Sequence, residues 1–204
     1  MKKGFTMIEI LVAMVILVMV FALLTVLYVR ASKIRRVITA QNDVQEVLSQ
    51  MMDRIVHGDK NTLGLIYASN LNSAVDNPTS IDISPYVIVF SDNTGGNTVI
   101  YGIAPGATAG NPDFSSTDTD TTLWRYDTTA GWLSLDVNNK ILLESGSKFE
   151  YYNSNGQNLI EESISSETTL VKITLKGKST EPAMKNMTPV TLHSAVRLRN
   201  KLSF

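Results

Sequence analysis

The sequence contains no cysteine, which excludes a disulfide scaffold, a thiolate zinc site, an iron–sulfur cluster and a cysteine nucleophile. It has two histidines, His57 and His193, which leaves little room for imidazole chemistry. No proline and no glycine falls between residues 5 and 57, so nothing in that stretch breaks a helix. Charge is also missing where it would normally occur: Glu9 is the one charged side chain in residues 5–29. Residues 58–204 hold 11 Lys+Arg and 15 Asp+Glu, 11 − 15 = −4, and residues 1–57 hold 7 and 4, 7 − 4 = +3. The net charge of −1 is therefore the difference between two unlike parts. An acidic carboxyl-terminal portion without a broad basic patch is a poor footprint for nucleic acid, and no nucleic-acid partner is expected.

From Phe5 to Val29 run 25 mostly aliphatic residues, which as a helix extend about 38 Å, enough to cross a bilayer with some tilt. A cleaved secretory signal has a shorter apolar core and ends in a small-residue site, and none follows Val29. Lys2 and Lys3 precede the span, whereas Arg30, Lys33, Arg35 and Arg36 follow it, so counting positive charges places the carboxyl side in the cytoplasm. Glu9 stands about one turn into the span, where a carboxylate is costly unless it snorkels to the interface or finds a cation.

The run from Lys2 to Met14, KKGFTMIEILVAM, closely resembles the leader and first turns of type IV pilins and type II secretion pseudopilins. The resemblance implies that a prepilin peptidase cuts between Gly4 and Phe5, that Phe5 becomes N-methylated, and that Glu9 is the glutamate at mature position five. It also implies a cytoplasmic leader and an outer carboxyl side, against the charge count. The chemistry is consistent: glycine admits close backbone approach at a protease site, and cleavage creates an amine at Phe5. Glu9 of a neighbouring subunit is the expected counter-ion in a poorly hydrated bundle, a pairing that would set axial register. Arg30 to Arg36 would then meet membrane lipid phosphates on the outer side.

Beyond Val29 the apolar residues become periodic: Ile34, Val37, Val44, Leu48, Met51 and Ile55, with Gln41 at the missing position and Ile38 and Val47 widening the stripe. This predicts one helix of roughly 50 residues ending near His57 and Gly58, with Arg35, Asp43, Glu46, Asp53 and Arg54 solvated. The stripe suits packing on the following domain, or a coiled coil of about three heptads.

Residues 59–80 read as a polar connection centred on Leu63 to Tyr67. Strands are expected at 86–90 and 98–103 around a Gly-rich turn, at 123–126 and 132–135 around a second turn, and at 141–143, 149–152, 171–175 and 190–198. Closely spaced strands imply antiparallel pairing under the long helix, an α+β, pilin-like ladle. The expected organisation is a leader at 1–4, a transmembrane half-helix at 5–29, an amphipathic half at 30–57, and an extracytoplasmic β-rich domain at 58–204.

Trp124-Arg125-Tyr126, the run from Phe149 to Gly156, the penultimate strand and the ending Ala195 to Asn200 resemble the J-type minor pseudopilins and W-like minor pilins. Residues 105–122 form either a solvent loop or a binding element. Asp113, Asp118 and Asp120 could offer oxygens to calcium, but the EF-hand pattern would require Gly at Leu123 and Glu at Thr129. Ser145-Gly146-Ser147-Lys148 and Ser91-Asp92-Asn93 mimic two β-lactamase motifs with no K-T-G following, and both fall in expected turns. Trp124, Tyr126, Trp132, Tyr151 and Tyr152 suit core or interface.

The expected function is that of a minor pseudopilin, a non-enzymatic subunit without cofactor or metal that helps start or cap a pseudopilus in the inner membrane. Its expected partners are prepilin peptidase, other pilins or pseudopilins and the inner-membrane assembly platform. The alternatives are an adhesive or priming minor pilin, and a membrane-anchored enzyme, for which no nucleophile, base or metal cluster stands out. Intact mass of membrane-extracted protein should show loss of residues 1–4 and one added methyl; a mature chain still beginning at Met1 would defeat the family assignment.

Overall fold

A computed structural model describes residues 6–60, 62–68, 70–71, 83–91, 98–105, 112, 114, 121–127, 130–136, 140–159, 164–184 and 186–198. The chain divides into two compact units, Met1–Ala40 and Gln41–Phe204. One helix, α1 (Met7–His57), contributes to both, uninterrupted as the absence of Gly and Pro predicts. Among the described residues it is the one helix long and apolar enough to cross a membrane. Its side chains from Met7 to Val29 are exposed, as a lipid-facing surface would be.

In the second unit the periodic stripe takes over, but later than its sequence period suggests. Val44, Leu48, Met51 and Ile55 are buried together with Met52 and Val56, whereas Ile34, Val37 and Ile38 are exposed. The period therefore runs about two turns longer than the buried face. The helix ends where Gly58 takes a positive φ of 80°, and a Cβ there would lie 2.2 Å from the Thr62 carbonyl oxygen. That room lets the chain double back through two short strands, β1 (Gly58–Asp59) and β2 (Thr62–Leu63), into a 3₁₀ turn at Leu65–Tyr67 with Leu65 fully buried. Tyr101 Oη donates to the Arg54 carbonyl at 3.0 Å, and Arg125 Nη1 meets Asp59 Oδ2 at 2.8 Å, tying this reversal to the sheet. Burial, the largest influence, pushes the Tyr101 phenol up to about 12.

Nine further strands form one sheet among the described residues, every pairing antiparallel. They are β3 (Asn70–Leu71), β4 (Val87–Ser91), β5 (Thr98–Pro105), β6 (Thr121–Asp127), β7 (Gly131–Ser134), β8 (Ile141–Leu143), β9 (Lys148–Tyr152), β10 (Leu170–Ser179) and β11 (Val190–Arg197). All the strands read from the sequence are present; the two-residue strands and a one-turn helix, α2 (Ile164–Glu167), are too short to leave a period.

β10 organises the sheet. One edge pairs with β11 from Leu170↔Arg197 to Gly177↔Val190. The other is shared: β9 covers Leu170 to Thr174 and β8 covers Gly177 to Ser179. At the interruption Ser147 replaces a strand residue, its hydroxyl donating to the Lys176 carbonyl at 3.1 Å and accepting the Lys176 N–H at 2.9 Å. On the helix side a Cβ at Gly177 would sit 3.1 Å from Leu48 Cδ2, so glycine sets how closely α1 seats on β10. The Phe149 N–H donates to the Pro85 carbonyl at 2.7 Å, and Tyr151 Oη to the Val87 carbonyl at 2.9 Å, so β9 also grips the entrance to β4.

On the far face of β5 to β7, a Cβ at Gly102 would lie 2.0 Å from the Phe114 ring, and Phe114 packs on Trp132 with centroids 4.8 Å apart. Tyr126 meets Trp132 edge-on at 5.3 Å. Phe114 thus packs against the sheet from within a polar stretch of sequence, a role the composition of that stretch hides. Asp113, Asp118 and Asp120 lie outside the described residues.

A fragment starting at Arg30 keeps Val44 to Val56 and should melt cooperatively by circular dichroism, whereas one starting at Gly58 should aggregate or unfold. Each aliphatic side chain lost is worth roughly 1.5–3 kcal/mol, and a whole domain holds only about 5–15. Equal melts would assign the stripe to another chain.

Hydrogen bonds from Lys178 to Glu144 and from Lys148 to Glu150, the largest influences, hold both carboxyls below the ordinary range. Because the folded values are lowered, their stabilisation is present above the unfolded value of about 4.3 and is lost as pH falls through the folded values. Between about pH 5 and pH 3 the melting temperature of the Arg30 fragment should fall more steeply than that of its Glu144→Gln/Glu150→Gln variant. Parallel profiles would remove these pairs from the acid response.

Candidate functional site at the helix amino terminus

The first four N–H groups of a helix have no partner within it, and a Ser/Thr-x-x-Glu sequence satisfies two of them reciprocally. Thr6-Met7-Ile8-Glu9 has that pattern, and the structure forms the box. Glu9 Oε2 accepts the Thr6 N–H at 2.9 Å and the Thr6 hydroxyl at 3.0 Å, while the Glu9 N–H reaches Thr6 Oγ1 at 3.4 Å. The Thr6 carbonyl accepts the Ile10 N–H at 3.3 Å and so starts the helical ladder.

This geometry alters how Glu9 is read. The sequence poses a choice between a snorkelling carboxylate and one awaiting a cation; in the single chain the side chain turns back to cap its own helix. Both contacts from Thr6 fall on Oε2, and Oε1 has no hydrogen-bond partner among the described residues. Thr6 was legible as the cap from the spacing alone, and the apolar run drew attention past it. Gly4 and Phe5 lie outside the described residues. Any amine at Phe5 would be one residue from the Thr6 amide that Glu9 already holds.

The other candidate residues are occupied or scattered. His57 Nδ1 meets Asp53 Oδ1 at 2.7 Å on α1, and His193 Nδ1 meets Thr174 Oγ1 at 3.1 Å on the sheet, so the two imidazoles share no site. In the Ser145 to Lys148 run, Ser147 is committed to the Lys176 backbone and Lys148 to Glu150. Asp136 is buried and accepts the Ile141 N–H at 2.8 Å. It lines a groove of about 240 Å³ with Glu46, Gln50, Arg54 and Lys140, where both signs of charge are present. No group of three metal-ligating side chains occurs among the described residues.

The first 25 residues match the family model described as the prokaryotic N-terminal methylation motif. The matched stretch contains Gly4, Phe5, Thr6 and Glu9, and it supports the resemblance to type IV pilins and pseudopilins. The chain matches no curated protein and no solved structure.

Proposed function

We propose that this type IV pilin-like chain, anchored in the membrane by its single amino-terminal helix, is a minor pseudopilin that helps start or cap a pseudopilus of a type II secretion system. Prepilin peptidase removes residues 1–4 after Gly4, Phe5 is methylated, and residues 5–29 hold the subunit in the inner membrane with residues 58–204 outside. The observation that carries this reading is the seating of Glu9 at the first turn of an otherwise apolar helix.

A carboxylate in lipid is unfavourable, and the capping box lowers that cost by giving Oε2 two donors. Oε1 remains for the Phe5 amine of an adjacent subunit. Opposite charges in a poorly hydrated bundle attract strongly, and leaving either unpaired is worse than never burying it. Subunits therefore seat at one axial offset, the one that brings Glu9 to a neighbour's amine, on the assembly platform and in the finished structure.

Glu9→Gln separates the two roles, because glutamine at the third helical position still completes a capping box but carries no charge. The variant should insert into the membrane as the parent does and lose crosslinks to partner pilins. Unchanged crosslinking would sink the pairing idea. Thr6→Val is the complementary variant: it removes the hydroxyl, keeps the charge, and should retain crosslinking.

A further inference from the structure

Reading along the chain, residues 58–204 are acidic and their basic residues look dispersed. The strand register collects five of them. Lys172 lies opposite Glu150 on β9 and Ala195 on β11, Thr174 opposite Lys148 and His193, Lys176 opposite Thr191, and Leu170 opposite Arg197. Directly opposed residues of antiparallel strands share a face, and Val171, Ile173 and Leu175 take the buried one. The outer face of β9, β10 and β11 therefore carries Lys148, Lys172, Lys176, Lys178 and Arg197.

Two carboxylates sit among them, each between two lysines. Glu150 lies 2.8 Å from Lys148 and 3.5 Å from Lys172; Glu144 lies 2.9 Å from Lys178 and 3.5 Å from Lys176. Lys148 and Lys172, 44% and 43% exposed, stand above Glu150 at 15%, and Lys176 at 35% stands above Glu144 at 20%, while Lys178 at 21% is as covered as its partner. Three of the four paired lysines thus reach further into solvent than the carboxylates they hold. The strip holds five positive and two negative charges, in a domain whose remaining residues hold six and thirteen.

We propose that this outer face docks the acidic helix face of a neighbouring subunit built on the same architecture. This rests on the pilin-like reading of the chain. Charge complementarity selects the occupant: the solvated side of α1 displays Asp43, Glu46 and Asp53 across about 15 Å, with Arg54 beside them and His57 on Asp53, and Lys172 to Lys178 span about 20 Å of β10. The two embedded carboxylates favour a protein over an anionic lipid surface, since a protein can place donors opposite them while headgroups would only be repelled. A strip on one subunit meeting a stripe on the next is a head-to-tail contact, the kind that extends an assembly.

The test places a photo-crosslinking residue at Thr191, an exposed position beside Lys176, in the full-length chain expressed in its native cells, with a second probe at Met14 in the apolar helix. The expected result is a Thr191 adduct mapped by mass spectrometry to a carboxylate-bearing helical peptide of another pilin-like subunit. Its yield should fall roughly tenfold or more in Lys172→Glu/Lys176→Glu, since like charges in contact are strongly unfavourable, and should survive in Lys172→Arg/Lys176→Arg. Should the reversed variant melt early, Lys172→Gln/Lys176→Gln should still reduce the yield while folding normally. Adducts to lipid, adducts to a peptide lacking carboxylates, or yields indifferent to the lysines overturn the proposal. So does a silent Thr191 probe when Met14 still links to pilins. If neither probe reaches a pilin, the pilin-like reading itself fails, and this proposal with it.

Discussion

The contact on which the domain depends is the seating of Leu48 against Gly177. β10 pairs with three strands, and it lies under α1 at Gly177, on the helix face where Val44, Met51 and Ile55 also leave water. A Cβ at position 177 would meet Leu48 Cδ2 at 3.1 Å, so the leucine would have to give by a few tenths of an ångström where close packing tolerates little error. The remaining elements adjust to this. Tyr101 and Arg125 tie down the end of the helix, Ser147 mends the ladder where β8 gives way to β9, and Phe114 closes the opposite face over Gly102.

Much of this architecture could be read before the structure was known, because two periods in the sequence are strong. The helix from residue 5 to 57 had no breaker, and residues 171–175 and 190–198 alternated apolar with polar side chains. What could not be read depends on groups far apart in the chain. Ile34, Val37 and Ile38 of α1 stay exposed because burial needs a partner surface, and sequence period reports only the helix's own side of that contact. Phe114 is the one large apolar residue in the 105–122 sequence, and its meaning depends on a glycine twelve residues earlier. The basic strip is invisible in the chain because its members become neighbours only through strand register.

The amino-terminal site was legible in a different way. Gly4, Phe5 and Glu9 stand out because each breaks the expectation around it: a glycine before an apolar run, an aromatic at a junction, a carboxylate in lipid. The reciprocal bonding of Thr6 with Glu9 was equally available from a spacing of three, yet it is the ordinary signature of a helix start and so was masked by the unusual charge. One carboxylate thus performs a common structural task through one oxygen, and its other oxygen is the one the proposed pairing uses.

β10 and β11 exchange hydrogen bonds along eight consecutive pairs, whereas β3 is held to β4 by two, Asn70↔Ser91 and Leu71↔Phe90. A load drawn along the strands stresses the eight-pair ladder in shear, where the bonds share the force and must rupture together. The two-pair strand has no such sharing, and local opening begins where few bonds close the structure. Under tension along the strands, the face that carries the lysines keeps its shape longest.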